Sequence, residues 1–159
     1  MIRMFTREAC TDDVCVASST DRSQSGRASR LTAAQATVLV VDDQRVILRV
    51  FSQALEHAGY RVRIADSADA ALECVRTEPP DAILVDLTMP FVNGLGFLYR
   101  LREMAPPIPV AMVTGNAVTI ETQDELHSLG VAVHFKPLTA AQIQGVVEKL
   151  LRVTTDGPA

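Results

Sequence analysis

Residues 81–90 read DAILVDLTMP: an apolar run that ends on one aspartate, Asp86, followed by Thr88, Met89 and Pro90. A short, continuously apolar, β-branched run bounded by turn residues fits a strand covered on both faces, so Asp86 stands where a buried strand stops. Runs of the same kind recur on either side. TVLVVDD at 37–43 ends in Asp42 and Asp43, IPVAMVT at 108–114 ends in Thr114, and VAVHF at 131–135 leads into Lys136 and Pro137. YRVRIA at 60–65 reads as a strand nearer an edge, because Arg61 and Arg63 alternate with Val62 and Ile64.

Between these runs the period changes to that of a helix. Ile47, Val50, Phe51, Ala54, Leu55 and Ala58 form one stripe, closed by Gly59. Ser67 can cap a helix carrying Ala71, Leu72 and Val75, and Pro79-Pro80 ends it. Leu95, Leu98 and Leu101 mark a third helix, and a weak fourth spans 121–129 before Gly130. The last opens at Thr139 with a capping box through Gln142 and continues through Ile143, Val146, Val147, Leu150 and Leu151. Strands alternating with helices, each strand a near-solid apolar run, predict an α/β fold: a doubly wound, five-stranded parallel sheet with helices on both faces.

Composition narrows the possible roles. The 159 residues suffice for one domain with a proper core, nearly half are apolar, and the formal charge of -4 invites neither nucleic acid nor an anionic membrane. No apolar run approaches the roughly 18 residues a membrane span needs, and the N-terminus lacks a signal-peptide core, so a cytoplasmic location is expected. Residues 1–36, rich in Ser, Arg, Ala and Gln with a net charge of +1, read as a flexible arm; a start codon further along would remove the arm altogether. The expected domain is 37–153, with 154–159 as a tail. Cys10, Cys15 and Cys74 show no ligand spacing and read as free thiols.

In a doubly wound sheet, ligands bind outside the carboxyl ends of the strands. Asp42, Asp43, Asp86, Thr114 and Lys136 all fall there. Each has an ordinary explanation alone, such as a helix cap or a solvated lysine, but not all of them together at one edge. Carboxylates about 5 Å apart repel by on the order of 3 kcal/mol per pair at an effective dielectric of 20. One lysine does not offset that, whereas a hard divalent cation such as Mg²⁺ does. A cation, a lysine and a hydroxyl around one carboxylate are what phosphoryl transfer onto Asp86 requires.

VLVVDDQ (38–44), ILVDLTMPFVNGLGFLYRLR (83–102), PVAMVTG (109–115) and FKPL (135–138) together resemble the receiver domain of two-component response regulators, over about 38–151. The resemblance implies the flavodoxin-like, CheY-like strand order 2-1-3-4-5 and a single-domain regulator without a DNA-binding output domain. It implies that Asp86 accepts a phosphoryl group from a histidine kinase or phosphotransfer protein. Asp43, Asp86 and the Thr88 carbonyl would hold Mg²⁺ directly, and Asp42 through water. Thr114 and Lys136 would bind the phosphoryl group, with Thr114 sliding inward, and Lys136-Pro137 would be cis. The side chains of Thr88 and Asn116 would tune dephosphorylation. The output, to an unknown protein target and not to nucleic acid or membrane, would be the surface of helix four, strand five and helix five, in a monomer or a phosphorylation-dependent dimer.

The chain departs from the family pattern in two places. Val133 stands where receivers carry a switching Tyr or Phe, leaving His134 or Phe135 as substitutes in a shifted strand, and Gly115 replaces a common Ala. The irregular strand motivates a second reading, a receiver-fold adaptor that signals without phosphorylation. A haloacid-dehalogenase-type phosphatase lacks its general acid, since Thr88 occupies that position. A flavodoxin-like nucleotide binder lacks a glycine-rich loop after strand one.

Overall fold

The computed structural model of the protein describes residues 36–104 and 107–155. All of the expected arm except Ala36 lies outside the described residues, as do 156–159 of the expected tail. Ten elements alternate along the chain: β1 (Thr37–Val41), α1 (Arg45–His57), β2 (Arg61–Ala65), α2 (Ala68–Thr77), β3 (Ala82–Asp86), α3 (Gly94–Met104), β4 (Val110–Thr114), α4 (Ile120–Ser128), β5 (Ala132–Phe135) and α5 (Ala140–Thr155). The strands form one parallel sheet in the order β2-β1-β3-β4-β5.

Every residue of β1, β3 and β4 is buried, as their uninterrupted apolar sequences require for central strands of a two-faced sheet. The sheet separates two cores. One packs Leu39, Ile83, Val85 and Met112 against α2, α3 and Leu126 of α4; the other packs Val38, Val40, Leu84 and Val113 against α1 and α5.

The helix ends follow their local chemistry. Ser67 accepts a hydrogen bond from the Ala70 N–H, and Thr119 does the same for Thr122, which starts α4 one residue before the expected Glu121. The capping box of α5 forms in both directions, with Thr139 Oγ1 accepting from the Gln142 N–H and Gln142 Oε1 from the Thr139 N–H. Gly59 and Gly130 follow α1 and α4 with φ of 92° and 71°, the left-handed cap that glycine takes without strain.

Three expectations need correction. The buried face of α1 is Leu48, Phe51, Ala54 and Leu55, so Leu48 turns inward and Val50 outward. β2 is an edge strand, but Arg63 does not mark its solvent side. That guanidinium is buried under α2, donating to the carbonyl oxygens of Cys74 and Glu78, while Arg61 is exposed. Cys74 is buried in α2 and disulfide-bonded, with Cys10 and Cys15 outside the described residues.

Candidate functional site

Parallel strands bring their carboxyl ends to one edge. β1 therefore delivers Asp42 and Asp43, β3 delivers Asp86, β4 delivers Thr114, and β5 runs directly into Lys136. Lys136 is tied to this edge by its own backbone, its N–H donating to the Thr114 carbonyl at 2.8 Å. The Lys136-Pro137 peptide is cis.

The three carboxylates converge, with one oxygen of each within 4.8 Å of the others; Asp42 and Asp86 are buried and Asp43 is exposed. Lys136 Nζ lies 2.5 Å from Asp42 Oδ2 and 3.7 Å from Asp86 Oδ1. Asp42 is held on its other oxygen as well, where Oδ1 accepts from the Gln44 N–H at 2.9 Å. That bond closes a turn ahead of α1, whose N-cap Gln44 makes no side-chain capping bond, so the acidic pair does not cap the helix.

Asp86 sits in a mixed environment. Burial pushes its carboxyl above the ordinary range, and the Thr88 N–H and Lys136 pull it back, while Asp42 and Asp43 push it up further. The Thr88 N–H donates to Asp86 Oδ1 at 3.3 Å. The loop that carries Thr88 is folded tightly over the strand: the Gly94 N–H donates to the Leu87 carbonyl at 3.0 Å. A Cβ at Gly94 would lie 2.6 Å from the Asp86 carbonyl oxygen, which leaves room only for glycine. In the same loop Phe91 takes a φ of 67° and is fully exposed.

Two hydroxyls face each other beside the acceptor. Thr114 Oγ1 accepts from the Asn116 N–H at 3.1 Å and lies 3.5 Å from Thr88 Oγ1. Asp42, Asp43, Asp86, Thr88, Thr114, Asn116 and Lys136 are thus gathered at one edge. The strand-five residues divide. Val133, opposite Met112, packs against the α2–α3–α4 core, and Phe135, opposite Thr114, is half exposed. His134 is half-buried, and burial and Lys149 hold its imidazole below the ordinary value. Sequence reasoning missed the backbone donors of Gln44 and Thr88, which any residue but proline could supply.

An all-oxygen set suits a hard divalent cation such as Mg²⁺, and the approach of Asp42, Asp43 and Asp86 fits one.

The response regulator receiver domain family model matches residues 38–148. Among curated proteins, the chain is 30% identical over 118 residues to the probable transcriptional regulatory protein TcrX of Mycobacterium tuberculosis, covering 74% of this chain and 50% of that protein. It is 33% identical over 119 residues to the alginate biosynthesis transcriptional regulatory protein AlgB of Pseudomonas aeruginosa, covering 75% of this chain and 26% of that one. Among solved structures, a CheY-like response regulator receiver domain protein from Methanospirillum hungatei superposes with a TM-score of 0.72 at 27% identity, over 77% of this chain and 98% of its own. The chemotaxis response regulator CheY4 of Vibrio cholerae gives 0.66 at 27% identity, over 72% and 98%. The chain spans half the length of TcrX and about a quarter of AlgB.

Proposed function

The chain belongs to the response regulator receiver domain family, a signalling domain of two-component systems, and from that premise we propose that it is a phosphorylation-dependent switch with Asp86 as acceptor. The observation that carries the reading is the convergence of three carboxylate oxygens within 4.8 Å beside Lys136.

In this reading Asp86 attacks the phosphorus of a phosphohistidine on a histidine kinase or phosphotransfer protein. The P–N bond breaks, an O–P bond forms at the carboxylate, and the ring, protonated on its other nitrogen in the phosphohistidine, leaves as neutral imidazole. Mg²⁺, held by Asp43, Asp86 and the Thr88 carbonyl with Asp42 through water, would supply charge neutralisation for the transferring group. Lys136 leaves Asp42 to bind a phosphoryl oxygen, and Thr114 donates to another. Thr88 and Asn116 flank the path of the water that hydrolyses the acyl phosphate. Phosphorylation then biases an existing equilibrium of shapes at α4, β5 and α5.

The proposed switch unit is 37–153, whose last helix, α5, runs on to Thr155. The output is a protein contact in the cytoplasm, made by a monomer or a phosphorylation-dependent dimer. Among the described residues no helix is long and apolar enough to cross a membrane.

The test is intact mass after incubation with Mg²⁺ and acetyl phosphate. One phosphoryl adduct is expected, lost with EDTA and in Asp86→Asn. A folded protein that takes up nothing would overturn the reading. It would favour instead the adaptor that signals by contact alone, for which the half-exposed Phe135 and the absence of an aromatic at Val133 speak.

A further inference from the structure

We infer that the Thr88 hydroxyl is the resting partner of Thr114 and sets how readily Thr114 turns to a phosphoryl group on Asp86; this rests on the acceptor reading above. Thr114 is completely buried, and its hydroxyl meets two groups, the Asn116 N–H at 3.1 Å and Thr88 Oγ1 at 3.5 Å. A hydroxyl has one proton to give, and an N–H donor cannot receive it. Either hydroxyl can be the donor in this pair, and among the described residues only donation from Thr114 to Thr88 Oγ1 gives the buried Thr114 proton a partner.

Thr88 reaches both parts of the site. Its N–H donates to the Asp86 carboxylate at 3.3 Å, and its side chain meets β4 at Thr114. A phosphoryl group on Asp86 places anionic oxygens in the same space and competes for the same proton. The charge-assisted bond is roughly twice as strong as the neutral one, so the exchange runs toward the phosphoryl group. Breaking the Thr88 contact subtracts from that gain. Thr88 is in this sense a positioning residue: it opposes engagement of Thr114, apart from any effect on water near the acyl phosphate.

The position is exposed, so its side chain can be changed with little cost to folding. Beryllofluoride binding in saturating Mg²⁺, followed by ¹⁹F NMR on the full chain, separates the hydroxyl from the shape. Thr88→Val keeps the shape and loses the hydroxyl, Thr88→Ser does the reverse, and Thr88→Ala loses both. The expected result is tighter binding by about two- to tenfold in Val and Ala, the worth of one ordinary hydrogen bond, with Ser indistinguishable from wild type. Equal affinities in Val and wild type, or a Ser variant that departs as far as Val, would overturn the inference. Wild type that binds no beryllofluoride would instead sink the acceptor reading itself.

Discussion

Asp86 is 4% exposed, and the ionised form that could attack phosphorus is the form burial disfavours. Its carboxyl is raised above the ordinary value, so between the unfolded and folded pKa values the folded chain holds a proton that the unfolded chain has released. Stability from this group is fully present below the unfolded value and is lost as pH rises through the folded one. Metal-free Asp86→Asn should therefore be more stable than wild type at neutral pH, by on the order of 1 kcal/mol or a few degrees in Tm. The advantage should shrink as pH falls toward the ordinary carboxylate range, and Mg²⁺ should stabilise wild type alone. Thermal melts across pH decide it: parallel curves for the two proteins would mean that Asp86 carries no such strain. The acids, the lysine and the threonine of this site were legible in the sequence because parallel topology sends every strand end to one edge. What was not legible is which carboxylate Lys136 selects. The 2.5 Å contact to Asp42, against 3.7 Å to Asp86, depends on where β5 lies across the sheet rather than on any residue near Asp42.

Arg63 shows how an element can be placed correctly on a misleading signal. The alternation of arginines in β2 suggested an edge strand, and β2 is one, yet Arg63 faces inward and serves the carbonyls that end α2. Positive charge at a helix C-terminus is favourable; the guanidinium donates to the Glu78 carbonyl and adds a third donor to the Cys74 carbonyl, which already accepts from the Glu78 N–H and Thr77 Oγ1. The fit is incomplete, since Nε and Nη2 are buried without hydrogen-bond partners. Arg63→Ala should nonetheless cost about 2–3 kcal/mol, from the cavity and the loss of the donor to the Glu78 carbonyl together. Urea unfolding measures it, and a loss within about 0.5 kcal/mol would class Arg63 with ordinary surface residues. Helix faces were less legible than strands for a related reason. In α1 the apolar residues Ile47, Leu48, Val50 and Phe51 are crowded enough to admit two stripes, and the tertiary neighbours, α5 and the sheet, select the one through Leu48. The capping box of α5 could be read outright because its chemistry is complete within four residues.

Across the whole molecule, burial is unevenly shared. The sheet centre is sealed on both faces, while α4 buries Leu126 alone and every residue of β5 is at least partly exposed. Ile120 and Phe135 leave large apolar surface in solvent at that end. Elements with few buried contacts open at the lowest free energy, so a change at the carboxylate edge is most cheaply expressed there. Lys136 connects the two regions, because it follows β5 at the sheet's margin and reaches Asp42, just past the end of β1. Drawing it toward a phosphoryl group would move the end of the least anchored strand. Native-state amide exchange should then show α4 and β5 exchanging well before β1, β3 and α1 in the free protein. Addition of Mg²⁺ with beryllofluoride should alter protection at α4 and β5 more than at α1 or α2. Uniform protection in the free protein would remove the asymmetry on which this argument stands, and a beryllofluoride response confined to the loops at the carboxylate edge would show that the site does not communicate with the α4–β5 end.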